Sequence, residues 1–384
     1  MRFSMISAAL VAALVGYGST IALILAAATA LGATPAQTAS WITAICLTKA
    51  AGAAFLSATS RVPVVLAWST PGAALIAATH GMTMAEAVGA FLLAGALIAL
   101  TGAIKPLGRI IAKIPDAIAA AMLAGVLLPF CLKGMAAAGA LGPAALAIGA
   151  VFVLVRLYNP ALAVLAALAT GLLAAFGPGE ALFPALTLPF PTLAFIPPQF
   201  HAQALIGLGL PLYLVTMASQ NLPGFAILRA AGYEPPVAPA LITTGGLSAL
   251  GALFGAHTIS MAAITAAICL GDDVHPDRSQ RWKVGLAYSG IWVGLALLGP
   301  LLVTILQAMP PEILTLLVGL ALLGPLAGAL TGAYAPPPSR FAATLTLTVT
   351  ASGIAIFGIG AAFWGLLAGL AMLTLETQAT RLRH

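Results

Sequence analysis

Long apolar runs, each closed by a short polar or turn-forming stretch, follow one another along the whole chain. A membrane-spanning helix needs about 20 mostly apolar residues, so the closing stretches delimit the spans. Thirteen of them divide the 384 residues, near 32–37, 59–63, 80–86, 105–116, 133–143, 156–160, 177–203, 229–239, 255–260, 271–283, 308–312, 336–340 and 358–362. The pattern predicts an all-α integral membrane protein with about fourteen transmembrane segments, of which the run 5–31 is the first.

The composition excludes a water-soluble fold. Hydrophobic residues make up 61% of the chain, charged residues make up 6%, and the mean hydropathy is +1.11, whereas a soluble domain has about 45–50% apolar and about 25% charged residues. The net charge of +6 does not indicate a nucleic-acid partner, because no basic cluster carries interleaved aromatic side chains. Cys46, Cys131 and Cys269 lack the spacing of a disulfide framework or a zinc site, so we predict no metal and no cofactor.

The basic residues predict the orientation, because cytoplasmic loops hold the excess of Lys and Arg. Alternation from a cytoplasmic N-terminus places nearly every base inside: Arg2, Arg61, Lys105, Arg109, Lys113, Arg156, Arg229, Arg278, Arg281, Lys283, Arg340, Arg381 and Arg383. Lys133 falls outside, and Lys49 lies within a span. We therefore predict a multi-pass protein of the bacterial inner membrane with both termini in the cytoplasm.

The longest break, 177–203, contains six prolines and no Lys or Arg, which favours an external linker between two halves of seven spans each. An odd number of spans per half means that the halves enter the membrane in opposite orientations. The sequence thus predicts an inverted repeat, with residues 1–195 as the first unit and 196–384 as the second. Transporters built in this way bind substrate near the midplane, where paired spans are broken and half-helix N-termini point at the ligand.

Two matching interruptions mark such a site. In the third segment an extended-looking run, 62–68, meets Ser69-Thr-Pro-Gly72 ahead of a helix over 73–79, and a hydroxyl N-cap with Pro just inside is a helix-start signal. In the tenth segment, 252–256 leads into His257-Thr-Ile-Ser260 and a helix over 261–270. The sequence predicts short extended strands before half-helices in spans 3 and 10. The alternative is a simple kink and a packing glycine, since Gly and Pro are common in membrane helices.

Half-helices that start inside the membrane suit an anionic ligand. Each N-terminus offers unpaired N–H donors and a charge of roughly +0.5, which stabilise a carboxylate in a low-dielectric setting. Broken backbone is tolerated at that depth because it lines a cavity.

These segments resemble the benzoate:proton symporter family, within the group that shares the uracil-permease and anion-exchanger fold. The matching stretches are Trp68-Ser-Thr-Pro-Gly-Ala-Ala-Leu75, Thr216-Met-Ala-Ser-Gln-Asn-Leu-Pro-Gly-Phe225, Leu228-Arg-Ala-Ala-Gly-Tyr233, Gly255-Ala-His-Thr-Ile-Ser260 and Ala262-Ala-Ile-Thr-Ala-Ala-Ile-Cys269. The resemblance implies seven-plus-seven inverted repeats, a core domain from spans 1–4 and 8–11, and a gate domain from spans 5–7 and 12–14. It also implies that benzoate or a similar aromatic acid enters with a proton by alternating access.

The candidate substrate-binding residues come from the two breaks, the eighth span and the first span. They are Ser69, Thr70, Pro71, Gly72, Gln220, Asn221, His257, Thr258, Ser260 and Tyr17. Amides in a span usually mark a pathway, although an interhelical hydrogen bond is the alternative for Gln220 and Asn221. His257 is the candidate proton-coupling group because His titrates near neutral pH, and a neutral cap of the tenth helix is its alternative. Packing is the stronger alternative for Tyr17.

Three further features receive structural interpretations. Lys49 is suspect as an intramembrane ion, but its position toward the cytoplasmic end favours snorkelling. The acidic stretch 272–277 is read as a solvated loop, because basic residues follow it directly and no second acidic motif exists. Arg229 and Tyr233 are expected to anchor the cytoplasmic interface of span eight.

An enzyme is disfavoured because the sequence offers neither a nucleophile with its base nor paired acidic metal motifs. An anion channel stays open, since half-helix dipoles also provide selectivity in pores. A nucleobase or inorganic-anion carrier is the other alternative, but the neutral Ser219-Gln-Asn221 of span eight suits an anion better than the carboxylate that nucleobase carriers of this fold place there. The predicted partners are a small aromatic carboxylate, a proton and the lipid bilayer, and a homodimer stays open.

Overall fold

The computed structural model describes residues 2–104, 106, 115–160, 162–177, 191, 193–262, 264–357 and 359–382. Fourteen helices and two short strands are found within this part of the chain, besides two 3₁₀ turns at Arg278–Gln280 and Pro337–Ser339. In order they are α1 (Phe3–Ala30), α2 (Pro35–Ser60), β1 (Leu66–Trp68), α3 (Thr70–Ala77), α4 (Met84–Ala103), α5 (Asp116–Leu141), α6 (Pro143–Tyr158), α7 (Ala163–Phe176), α8 (Ala202–Ala230), α9 (Val237–Ala252), β2 (Ile259–Met261), α10 (Ile264–Ile268), α11 (Lys283–Gln307), α12 (Pro311–Tyr334), α13 (Arg340–Ala351) and α14 (Ala361–Leu382).

Seven of the described helices are long and apolar enough to cross a membrane: α1, α2, α4, α5, α8, α11 and α12. Three shorter apolar helices, α6, α7 and α9, have 10–17 residues. The predicted helical membrane architecture with extended segments in spans 3 and 10 is confirmed, while the exact number of spans stays a prediction.

Local sequence signals fix where several helices begin. Thr34 and Thr83 each accept a hydrogen bond from the backbone N–H three residues later, and Gln37 and Glu86 bond back to the N-cap N–H. These reciprocal bonds form capping boxes, which satisfy N–H groups that a helix start leaves unpaired. The helices α2 and α4 are thereby held at the end of the molecule that is predicted to be external.

The helix pairs follow the exchange expected of an inverted repeat. Helix α2 packs on α11 and α4 packs on α9, while α5 packs on α12. If span n of the first half corresponds to span n+7 of the second half, the α2–α11 pair maps onto the α4–α9 pair, and the α5–α12 pair maps onto itself. Small residues allow these close contacts, as is usual in membranes: a Cβ added to Gly134 would lie 2.6 Å from the Cα of Gly319.

The two interrupted spans meet through the two strands. β1 and β2 pair antiparallel with Leu66 opposite Met261 and Trp68 opposite Ile259. Two backbone bonds extend the pair, from Ser69 N to Thr258 O at 2.9 Å and from Ala262 N to Val65 O at 3.0 Å. The extended tips therefore satisfy each other's buried backbone groups, which lipid could not do.

Several predicted boundaries are wrong. Helix α5 continues through the break predicted at 133–143 and ends only at Leu141, because Lys133 sits on an exposed helix face and does not stop the helix. The helix predicted over 261–270 is instead strand up to Met261 and helix only over Ile264–Ile268. Helix α13 ends at Ala351, well before the break predicted at 358–362, because Gly353 takes a left-handed φ of 68°.

The predicted linker lies partly outside the described residues. Its described end, 193–200, has no regular secondary structure and contacts both halves, with Ile196 N donating to Leu253 O at 2.8 Å and Gln199 N donating to Ala85 O at 2.9 Å. The unit boundary at 195/196 and the division into core and gate stay predictions. The predicted cytoplasmic bases Lys105, Arg109 and Lys113 also lie outside the described residues.

Candidate substrate site

Helix α3 starts directly after β1, in the interior of the bundle. Ser69 is its N-cap, and the Ser69 Oγ accepts a hydrogen bond from Gly72 N at 3.1 Å. Gly72 leaves room for its neighbours, because a Cβ there would lie 2.5 Å from Leu212 Cδ1 and 2.8 Å from the capping Ser69 Oγ. The predicted helix start within the third segment is confirmed, and its positive end is fixed beside the strand pair.

Three buried hydroxyl groups link this cap to the second break. Thr216 Oγ1 on α8 donates to Ser69 Oγ at 3.0 Å and lies 2.8 Å from Thr258 Oγ1. All three side chains are fully buried. Because each hydroxyl has a protein partner, the network joins α3, α8 and the β2 segment without exposing polar groups to lipid.

His257 bridges the same two breaks. Its Nδ1 accepts a hydrogen bond from Trp41 Nε1 at 3.0 Å, and its Nε2 lies 3.1 Å from Ser69 O. Since an indole N–H can only donate and a carbonyl can only accept, these partners fix the neutral tautomer with the proton on Nε2. The contacts favour a neutral histidine, but it bonds to Trp41 and Ser69 instead of capping the tenth helix, which begins at Ile264. Its coupling role stays a prediction.

The polar stretch of α8 forms a π-helical turn over Met217–Asn221. Such turns are rare and often occur at functional sites. Asn221 Oδ1 accepts from Met261 N at 3.0 Å and so ties α8 to β2, while Ser219 and Gln220 face a cavity. The turn therefore presents consecutive residues to opposite sides of the helix.

The cavity has a volume of about 820 Å³. Its inner end is formed by Ala67, Trp68, Thr70 and Pro71 of the β1–α3 segment, with Ser219 and Gln220 of α8 opposite. Its other wall consists mostly of small and apolar residues from α5, α6, α7 and α12, among them Ala119, Leu123, Phe152, Val164, Leu320, Gly324 and Gly328. Two exposed residues, Asp116 and Arg156, lie at the far end, so the cavity opens at the side of the molecule predicted to be cytoplasmic.

An aromatic cluster borders the inner end. The ring centroids of Trp68 and Trp292 are 5.2 Å apart, and those of Tyr288 and Trp292 are 5.8 Å apart. Tyr17 packs against Trp68 at 5.6 Å, and its hydroxyl has no hydrogen-bond partner among the described residues. Lys49 reaches into this cluster, with Nζ 3.0 Å from the ring centroid of Trp292.

The structure divides the predicted site residues into two groups. Thr70, Pro71 and Gln220 line the cavity. The remaining seven lie behind its surface, in the hydrogen-bonded layer or in the aromatic cluster: Ser69, Gly72, Asn221, His257, Thr258, Ser260 and Tyr17. The packing alternative for Tyr17 matches its position.

Several lining residues were not predicted. They are Thr20, Lys49, Trp68, Ser219, Thr265 and Tyr288. Snorkelling is wrong for Lys49, because its side chain is only 1% exposed and turns toward the aromatic cluster instead of the membrane surface. A detectable signal was the spacing of Tyr288 and Trp292, which places two aromatic rings on one face of α11.

The acidic stretch forms a loop held by a basic partner, as predicted. Arg281 binds Asp272, and its Nη1 donates to Leu270 O at 2.9 Å. Hydrogen bonds from the Ser279 hydroxyl and backbone N–H lower the pKa of the exposed Asp277 carboxyl.

Within the described part of the chain, no group of three His, Cys, Asp or Glu side chains is arranged to hold a metal ion. Tyr233 stacks on Arg278, with the guanidinium carbon 4.2 Å from the ring centroid.

A bundle of membrane-crossing helices with a cavity at two paired, discontinuous spans has the architecture of a secondary transporter. The sequence matches the family described as "Benzoate membrane transport protein" over residues 1–375, and the chain belongs to that family. The resemblance found in the sequence is thereby confirmed, and the protein is a membrane transporter rather than an enzyme.

Two relatives and one solved structure illustrate this placement. The chain is 40% identical to "Inner membrane protein YdcO" of Escherichia coli over 94% of this chain and 93% of that protein. It is 31% identical to the "Benzoate membrane transport protein" of Acinetobacter baylyi, covering 94% and 92%. The transmembrane domain of the cyanobacterial bicarbonate transporter BicA has a similar fold, with a TM-score of 0.61, 14% identity, and coverage of 96% and 98%.

Proposed function

We propose that the protein is an alternating-access carrier that brings benzoate, or a similar small aromatic carboxylate, across the inner membrane together with a proton. The observation that supports this most is the cavity of about 820 Å³ that ends at the β1–α3 tip of span 3, which is paired with β2 of span 10. Its volume falls within the roughly 300–1,000 Å³ typical of small-molecule sites.

The inner end of the cavity offers both kinds of contact that such a substrate requires. Thr70 and Pro71 form the first turn of α3, whose positive end favours a carboxylate. The neutral amide of Gln220 adds a hydrogen-bond donor, while Trp68 and Phe152 provide apolar surface for a ring. A negatively charged side chain at this end would repel the substrate, and the one acidic residue of the described lining, Asp116, lies at the cavity mouth.

The same geometry supports an inward-facing state. The cavity opens beside Asp116 and Arg156, at the predicted cytoplasmic end. At the opposite end, Gln199 N binds Ala85 O, and Glu86 Oε1 lies 2.8 Å from His201 Nδ1. We also propose that both termini lie in the cytoplasm, since this orientation places the cavity opening on the side where an imported acid must leave. The oligomeric state stays a prediction.

Cysteine labelling tests the orientation, because Cys46, Cys131 and Cys269 are all buried. Arg340→Cys and Ala36→Cys each introduce one exposed thiol at opposite predicted sides. In intact cells with a permeable outer membrane, a membrane-impermeant maleimide should label the Ala36→Cys variant and spare Arg340→Cys until the cells are opened. The reverse pattern would contradict the orientation.

Uptake by proteoliposomes tests the transport activity. Radiolabelled benzoate should accumulate with saturation when the outside is acidic, and a protonophore should abolish the accumulation. Uracil and bicarbonate serve as competitors, and benzamide as the uncharged analogue of benzoate. Competition by uracil or bicarbonate without uptake of benzoate would favour the alternative carriers. Rapid passive equilibration without accumulation would indicate a channel.

A further inference from the structure

Lys49 occupies an unusual position for a charged side chain. It lies in the middle of α2, is 1% exposed and borders the inner end of the cavity. Its Nζ lies 3.0 Å from the ring centroid of Trp292 and 4.3 Å from that of Trp68. Two indole faces therefore lie against the Lys49 amino group at the cavity wall, and the face of an aromatic ring attracts its charged form, an ammonium.

No anionic side chain compensates this ammonium within the described residues. The two ion pairs found there join His201 to Glu86 and Arg281 to Asp272, both at the ends of the molecule. The polar residues that share the cavity wall near the strand pair are neutral: Thr20, Thr70 and Thr265. In its charged form Lys49 is a buried cation without an ionic partner, which is costly, and cation–π contacts offset only part of that cost.

We infer that Lys49 binds the substrate's carboxylate and is the residue by which the carrier distinguishes an aromatic acid from its uncharged analogues. The inference rests on the proposed function, because it assigns the anion-binding group of that same site. A bound carboxylate would supply the missing counter-charge, and a charge-assisted hydrogen bond to an ammonium is about twice as strong as a neutral one. The neighbouring Trp68 and Tyr288 then form the surface against which the substrate ring lies.

The position of Lys49 also explains why the tryptophans cluster there. Trp292 contacts Trp68, Tyr288 and Tyr17 by its ring, so its orientation is fixed from three sides. A fixed indole face keeps the long, flexible lysine stem from folding away from the cavity. The ammonium is therefore positioned before the substrate arrives, which reduces the entropy lost on binding.

Binding of benzoate and of benzamide to purified protein in detergent tests the inference, measured by isothermal titration calorimetry. The two ligands share the ring and differ in charge. The unaltered protein should prefer benzoate, and Lys49→Met should lose affinity for benzoate by about ten- to a hundredfold, as expected for a hydrogen bond to a charged group. The affinity for benzamide should change by less than about threefold, because neutral contacts are retained. Lys133→Met is the matched control, since Lys133 is exposed and outside the cavity.

The possible results distinguish a failure of the proposed function from a failure of the role inferred for Lys49. If the unaltered protein binds neither ligand, the proposed substrate is wrong and the inference is overturned with it. If the unaltered protein prefers benzoate and Lys49→Met keeps that preference, the role of Lys49 alone is overturned. Should Lys49→Met fail to fold, Lys49→Arg and Lys49→Gln replace it: the arginine variant should retain the preference for benzoate, and the glutamine variant should lose it. Equal preferences in these two variants would also overturn the inference.

Discussion

In each of the two polar motifs of the site, Ser69-Thr70 and Gln220-Asn221, adjacent side chains face opposite directions. Ser69 and Asn221 are fully buried and use their polar atoms to join α3, α8 and the strand pair. Thr70 and Gln220, one position away, line the cavity. The comparison shows that a polar motif in a membrane span serves two purposes: one residue joins the surrounding elements by hydrogen bonds, and the next forms part of the cavity wall.

Replacement of Asn221 should give the largest effect on folding. Asn221→Ala removes the acceptor for Met261 N in a fully buried position, and an unsatisfied buried N–H costs about 1–3 kcal/mol. We expect a clearly lower temperature of thermal unfolding and loss of uptake. Gln220→Ala is the matched control, with an amide removed from the cavity wall. Equal unfolding temperatures for the two variants would contradict the division between buried and lining residues.

His257 tests the buried layer in a second way. His257→Leu takes the acceptor away from Trp41 Nε1, so we expect a loss of stability of about 1–3 kcal/mol. Because the Trp41 bond holds Nδ1 without a proton, we also expect a pH gradient to stimulate uptake in the variant as in the unaltered protein.

The measurement is benzoate uptake with and without an imposed pH gradient, and His201→Gln at an exposed position is the control. If the gradient no longer stimulated uptake while benzoate still bound, His257 would be the coupling group that the sequence suggested.

Gln220 tests the cavity side of the comparison. Gln220→Ala should leave the unfolding temperature unchanged, because the side chain is only partly buried. Its affinity for benzoate should fall by about tenfold, which corresponds to one hydrogen bond to a charged group. Calorimetry measures the affinity, and a variant with unchanged affinity would remove Gln220 from the site.

Tyr17 should give the smallest effect. Its hydroxyl is buried without a hydrogen-bond partner among the described residues, so Tyr17→Phe should leave stability equal or raise it by up to about 1 kcal/mol. Benzoate affinity should stay within about twofold, since a hydrogen bond to a charged group would be worth more. A larger loss of affinity would place the hydroxyl in contact with the substrate, as the sequence first suggested.

Hydropathy and turn-forming residues predicted most of the fold. The start of α3 at Ser69 follows from a local signal, namely a hydroxyl cap with Pro71 inside the first turn. The short length of α10 does not follow from its sequence, because residues 261–270 are as apolar as a helix requires. There the pairing with β1 decides the conformation, and pairing between distant segments leaves no local pattern.

The sequence motifs predicted which segments form the candidate site, but not which of their side chains face the cavity. The π-helical turn over Met217–Asn221 shifts the helical register, so a 3.6-residue period cannot show which amide of the pair faces the cavity. Lys49 illustrates a similar limit. Its predicted position toward the cytoplasmic end of the span suggested snorkelling. Its partner Trp292 is far away in sequence, so the contact between them becomes visible only in three dimensions.

Because β1 and β2 pair antiparallel, the two interruptions should tolerate a changed side chain better than a changed number of residues. Successive side chains in a strand point to opposite faces, and a shift by one residue exchanges those faces. An insertion or deletion of a single residue between Val62 and Trp68 would therefore turn the indole away from Lys49 and leave Ser69 out of step with Thr258. Engineered variants of this transporter should vary side chains there and keep the spacing intact.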